Sequence, residues 1–226
     1  MKATIEFIIG KKFITISLKT ETMLIRILYF LILVLEIFFS QNGDLTFVKI
    51  TKPLLMPLLM ILAIQSGIKD KFLYIALFFS LLGDVFLMYS GQNYFMLGLG
   101  SFLIGHFAYI LLFKKQFRFN LIKSLPFAIA TFLYFMFLKR GIPNELFVAV
   151  TLYCSVITLM AIFAACRISN AKSYQIVLLG AILFVISDSL IAYNKFYESL
   201  KYSSVLVMST YGVAQYLIVT GWAKKN

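Results

Sequence analysis

Long apolar runs separated by short polar breaks dominate the chain, and eight of them approach the roughly 20 residues that carry a helix across a hydrocarbon layer about 30 Å thick. They cover residues 22–40, 51–66, 72–89, 94–113, 120–138, 145–166, 174–193 and 203–222. The breaks read "QNGD", "GIKDK", "SGQN", "KKQFRFN", "KRGIPNE", "CRISNAKS" and "NKFYESLK", each with the Gly, Asn, Pro or charge that ends a helix. Every face of these segments is apolar, so the pattern sets their number better than their ends. Pro53 and Pro57 are expected to shorten or kink the second span. So little chain lies between the runs that no soluble domain fits. The predicted architecture is an all-α polytopic transmembrane bundle of about eight helices over residues 22–223. Residues 1–21 form a cytoplasmic or interfacial lead-in; it has a charged start and a short apolar patch, but no A-x-A-like site follows, which argues against a removable signal.

Composition agrees: 62% of the 226 residues are hydrophobic and 13% charged, which excludes a water-soluble globular domain. The net charge of +12 raises nucleic acid as a partner, but the basic residues sit in the breaks, where an orientation bias explains them. With the N-terminus cytoplasmic, the N-tail, the even breaks and the C-tail hold fourteen Lys and Arg against six in the odd breaks. Both termini therefore read as cytoplasmic, and no nucleic-acid binding is expected. Trp222 at the last helix end suits an interfacial anchor. Cys154 and Cys166 lie twelve residues apart on one predicted helix, about 18 Å, too far to bridge. Lys-, Ile- and Phe-rich usage hints at an AT-rich bacterial genome and hence a bacterial cell (inner) membrane.

Two carboxylates interrupt the apolar runs: Asp84 in "LLGDVFLM" and Asp188 in "FVISDSLIAY". A charged Asp at membrane depth costs at least roughly 2.5–3.5 kcal/mol, so it is rarely kept without a partner or a cavity. Both lie on odd spans that run the same way, at similar depth toward the outer side, about 8 Å from their helix ends. Such a pair in a low dielectric does not readily ionise twice and supplies a proton donor beside a proton acceptor. The plainer alternative is that each Asp bonds a neighbouring helix through Ser80, Ser187 or Ser189, or is wetted from the surface. "LFFSLLGDVFLMY" echoes "AILFVISDSLIAY", and the helices that follow pair Gly105 with Gly212 and Tyr109 with Tyr216. That pattern is a four-plus-four parallel internal repeat, and repeats of this kind place functional groups at their interface.

The remaining polar residues are fewer. His106, the single histidine, falls within the fourth span, where it is a structural hydrogen-bonding group or a supporting residue of the site. One His with no cysteine cluster argues against zinc. Glu36 lies near the end of the first span, where solvation accounts for it. Lys52 and Lys195 fall on the outer side as flanking lysines or as point charges for a lipid phosphate. "LGLGSFLIGH" follows no strand, so its glycines suit close helix packing and not a phosphate loop. Tyr211 and Gln215, four apart, share one face of the eighth span and either line a polar cavity or serve packing.

"LLGDVFLM", "FLIGHFAYI", "VISDSLIAYNKF" and "STYGVAQYLIV", in this order and spacing, resemble the YhhN-like family of lysoplasmalogenases, eight-span membrane hydrolases. The resemblance covers roughly residues 24–222. It implies cleavage of the vinyl ether bond of a lysophospholipid, a lysoplasmalogen, to a fatty aldehyde and a glycerophospho-ethanolamine or -choline, with no metal or organic cofactor. It places the two essential acids at Asp84 and Asp188, with Lys52 and His106 as further family positions. A rival reading, an intramembrane aspartyl protease, lacks its signature here: Asp84 follows Leu82 and Gly83, and no Tyr-Asp precedes it. A proton-coupled transporter or lipid carrier using the acids as a relay is the stronger rival.

Overall fold

The computed structural model describes the backbone of residues 2–224 and the side chains of residues 20–224. The expected lead-in at residues 1–21 thus lies almost wholly outside the described side chains. Eight α-helices follow one another: α1 (Lys2–Gln41), α2 (Leu45–Gln65), α3 (Lys71–Leu87), α4 (Gln92–Lys114), α5 (Leu121–Leu138), α6 (Asn144–Ala165), α7 (Ala171–Phe196) and α8 (Ser203–Ala223). A single 3₁₀ turn, Lys139–Gly141, lies between α5 and α6. The polar breaks end the helices through recognisable chemistry. Asp44, Asn120 and Asn170 each accept a bond from the backbone N–H three residues on, capping α2, α5 and α7. Gly67, just past α2, takes the left-handed conformation (φ 72°) that a side chain disfavours.

Among the described residues seven helices are long and apolar enough to cross a membrane, and the chain is an integral multi-pass membrane protein. The exception is α3, whose 17 residues reach about 26 Å. It falls just short of that length and buries one face, with Leu73, Ala76, Leu77, Ser80, Gly83 and Asp84, while Phe78 is exposed. The prolines do not shorten α2: it opens at Leu45, ahead of the expected 51, and runs through both Pro53 and Pro57. Helices packed against its buried face, which holds Leu55, Met56 and Leu59, tolerate the two missing N–H donors, as neighbouring helices do inside membranes.

The core gathers Leu55, Met56, Leu59 and Leu62 of α2, Leu73 and Leu77 of α3, Tyr109 and Phe113 of α4, Phe184 of α7 and Trp222 of α8. Trp222 is thus fully buried, not an interfacial anchor; it packs on Phe113, and the Arg167 guanidinium lies 4.8 Å from its ring. Arg167, in the loop after α6, also donates to Gln116 and Ser173, and burial lowers its pKa to about 10. The lipid-facing extreme is α5, which buries only Ser124 and Leu138 and exposes Ile122, Phe132 and Leu133.

Contacts between breaks define two ends of the bundle. At one end Lys115 pairs with Asp70 (2.8 Å), Arg118 N–H donates to the Cys166 carbonyl (2.9 Å), and Asn170 reaches the Lys224 carbonyl. The even breaks and the end of α8 therefore share a face. At the other end Lys49 lies over the Tyr89 ring and Phe95 meets Phe196 edge to face.

The most extensive helix contacts are α3 with α4 and α7 with α8, the pairs that the internal echo relates. Within them Gly105 faces the Ala76 carbonyl of α3, whereas Gly212 faces Leu33 of α1. A Cβ on Gly180 would lie 2.9 Å from the Ala214 carbonyl and 3.0 Å from the Ile218 nitrogen, so α7 and α8 approach backbone to backbone there. Gly180→Val should overpack this seam and cost about 2 kcal/mol, lowering the thermal unfolding midpoint in detergent; an unchanged midpoint contradicts the close approach.

Candidate active site

Two polar clusters lie within the apolar interior, one around each aspartate. Asp84 of α3 is 2% exposed and accepts from the Tyr211 O–H of α8 (2.8 Å). The Tyr211 oxygen faces the Gln215 amide (3.5 Å), which also donates to Ser80 Oγ (2.9 Å), while Tyr109 O–H donates to the Gln215 carbonyl oxygen. Tyr211 and Gln215 are one turn apart on α8, so both reach α3 from the same face.

Asp188 of α7 stands among different partners. Its Oδ2 accepts from Tyr153 O–H of α6 (2.5 Å) and lies 3.1 Å from His106 Nε2 of α4. His106 Nε2 is also 3.0 Å from the Tyr153 oxygen. With the Tyr153 proton committed to Asp188, both neighbours of Nε2 are acceptors, so Nε2 carries a proton. His106 Nδ1 has no partner among the described residues. Both bonds to Asp188 fall on Oδ2 and leave Oδ1 unbonded.

Among the described residues no hydrogen bond joins the two carboxylates. Phe184 lies between the clusters, its ring edge-on to His106 (4.7 Å) and to Tyr211 (5.4 Å). Asp84 is within electrostatic reach of Asp188 and of Lys52. The structure thus brings His106 to Asp188, and Tyr211 and Gln215 to Asp84; it leaves Lys52 and Lys195 bonded to neither.

Two adjoining cavities meet near Asp188. The first, of about 310 Å³, is walled by apolar side chains such as Phe95, Leu99, Phe102, Phe127 and Ile157, with Asp188, Tyr153 and Tyr134 among its few polar groups. The second, of about 330 Å³, is lined by Glu36, Lys49, Lys52, Asn194, Lys195 and Ser203 at the odd-break end. Leu87, Phe95 and Ile191 line both. Ile191 follows Asp188 by one turn of α7, so the carboxylate sits beside the boundary between an apolar and a cationic compartment. Asp84 lines neither cavity.

Magnitudes rank the three acids of this region. A hydrogen bond to a charged group returns about 1.5–3 kcal/mol, against the roughly 2.5–3.5 kcal/mol for placing an Asp in the membrane. Asp188, with two donors, is the best stabilised of the three as a carboxylate, the form an acid takes once its proton has been given up. Asp84 has one donor and the nearby Lys52 charge. Glu36, expected to be solvated, is instead fully buried, and neither carboxylate oxygen has a hydrogen-bond partner among the described residues.

Sequence reasoning missed Tyr153. A tyrosine in an apolar helix reads as core filler, and the one available signal was general: a buried phenol requires a partner. Glu36 was visible but was assigned to water because of its place near a span end.

Residues 47–222 match the model of the YhhN family. The chain is 34% identical over 151 residues to lysoplasmalogenase TMEM86A of Homo sapiens, and 32% identical over 155 residues to lysoplasmalogenase TMEM86A of Bos taurus. Each match covers 65% of this chain and 62% of the relative, so the chain spans less than two thirds of these relatives' length. No solved structure matches. With most of its helices inside the matched region, the chain belongs to the YhhN family.

Proposed function

We propose that this protein hydrolyses the vinyl ether bond of lysoplasmalogens, releasing a fatty aldehyde and a glycerophospho-ethanolamine or -choline. One observation carries the reading: a partly buried carboxylate, Asp188, lies where an apolar cavity adjoins a lysine-lined one. A lysoplasmalogen places its vinyl ether at the same boundary, between an acyl-like chain and a phosphate headgroup. Membership of the YhhN family and likeness to proteins named lysoplasmalogenase support the same chemistry.

In this mechanism the chain fills the apolar cavity and the phosphate meets Lys52 and Lys195. Protonated Asp188 delivers its proton from Oδ1 to the alkene carbon remote from oxygen, leaving an oxocarbenium ion. Tyr153 and His106, donating to Oδ2, stabilise the carboxylate that forms and so strengthen the acid. Water adds to the carbon that bears oxygen, and its proton returns to Asp188. The resulting hemiacetal then breaks its bond to the glycerol oxygen, which takes the hydroxyl proton, and the aldehyde departs. Asp84, held by Tyr211 outside the cavity, contributes negative charge that stabilises the cation, as paired carboxylates divide their roles at glycosidic bonds.

Asp188→Asn should lower aldehyde release from a lysoplasmalogen by about 10²–10⁴-fold in purified, detergent-solubilised protein. Asp84→Asn should also lose activity while leaving substrate binding in place. A wild-type protein that binds the lipid yet never releases aldehyde is a carrier and not a hydrolase. Tyr153→Phe removes one of two donors to Asp188 and should reduce kcat roughly tenfold with KM little changed; an unaltered kcat removes Tyr153 from the mechanism.

The same reading places the lysine-lined cavity on the outer side and both termini in the cytoplasm of a bacterial cell, because the lysine- and arginine-rich even breaks share a face with the end of α8. A fluorescent protein fused after Asn226 should therefore mature, and alkaline phosphatase fused there should stay inactive; the reverse pair of results inverts the topology.

A further inference from the structure

Glu36, within the first span, is a fully buried acid that the proposed chemistry does not use. It lines the second cavity together with Lys49, Lys52 and Lys195, and among the described residues has no hydrogen-bond partner on either oxygen. Its surroundings are asymmetric. Two of the lysines are already engaged with rings, Lys49 over Tyr89 (5.3 Å) and Lys195 over Phe95 (5.0 Å), and no lysine comes within ion-pair distance of the carboxylate among the described residues. The wall of the cavity therefore holds three lysines and a carboxylate without a hydrogen-bond partner among the described residues. The partner that completes such a wall carries a negative and a positive group together.

We infer that Glu36 is the acceptor for the primary ammonium of a phosphoethanolamine headgroup, whose phosphate meets the lysines of the same cavity. The inference rests on the function proposed above and extends it to headgroup choice. An ammonium has three N–H donors and satisfies both oxygens of Glu36, whereas a trimethylammonium has none. Quaternary ammonium groups are held by cages of aromatic faces, and Phe95 is the single aromatic residue in this cavity. Glu36 thereby makes the site prefer ethanolamine over choline, and either over a headgroup that ends at the phosphate.

The test compares wild type with Glu36→Gln, which keeps the shape and removes the charge. Substrates are the ethanolamine lysoplasmalogen and its alkenyl lysophosphatidate counterpart, which lacks the amine. The ratio of kcat/KM between them should fall roughly tenfold in the variant, chiefly through KM for the ethanolamine lipid. A ratio equal to that of wild type overturns the assignment. A parallel binding measurement uses the saturated 1-O-alkyl analogues of the same two lipids, which have no vinyl ether to cleave, detected by native mass spectrometry. Loss of selectivity for the ethanolamine analogue in Glu36→Gln supports the assignment even if the wild-type protein releases no aldehyde. Equal weakening of both analogues, or of neither, rejects it whatever the activity shows.

Discussion

The cost of keeping charge inside an apolar bundle governs this structure. A chain with 62% hydrophobic residues can bury almost anything at lower cost than a carboxylate, and the two aspartates that it retains within the helices each stand in an arrangement of partners. Asp188 draws α4 and α6 to α7 through His106 and Tyr153. Asp84 draws α8 to α3 through Tyr211, and the Gln215, Ser80 and Tyr109 bonds extend that link to α4. The helix pairs with the most extensive contacts, α3 with α4 and α7 with α8, are the ones that carry these acids and several of their partners. Packing brings the helices close; the polar clusters select which side chains meet.

The two aspartates are not equivalent. Asp188 borders open volume and keeps one oxygen unbonded among the described residues, as the proposed proton donor requires, whereas Asp84 is enclosed and its bond comes from a tyrosine that is itself part of a network. Aromatic rings separate the two clusters, with Phe184 touching a member of each. This arrangement favours a division in which one acid handles the proton and the other sets the local potential. The proposed vinyl ether hydrolysis needs no hydrogen-bonded acid pair of the aspartic-protease kind: the proton goes to carbon, and a single carboxylic acid at the right place can deliver and recover it.

Much of the fold was legible because the bilayer imposes length on helices, so eight apolar runs with capped or glycine-punctuated ends translate directly into eight helices. The aspartates were legible for the complementary reason that an acid stands out in an apolar run. What could not be read was orientation around each helix axis. Trp222 has the composition of an interfacial anchor, yet it faces inward beneath Arg167. Glu36 lies near a helix end, where water is the natural partner, yet α2 and α8 close over it. Tyr153 sits in a helix that is apolar on every face, which leaves no periodicity to say which tyrosine points to the acid. The prolines of α2 misled in the opposite sense, since the rule against interior proline weakens where neighbouring helices support the segment, and α2 continues past both.

The central claim is that a single lysolipid spans both cavities with its ether bond beside Asp188. A structure of the protein with a bound 1-O-alkyl lysophosphoethanolamine tests it most directly. The account predicts the alkyl chain between Phe102 and Ile157, the ether oxygen and first chain carbons against Asp188 Oδ1, and the phosphate among the lysines. A chain lying on the outer surface of α1 or α5, or a headgroup at the Asp70–Lys115 end of the bundle, would contradict it.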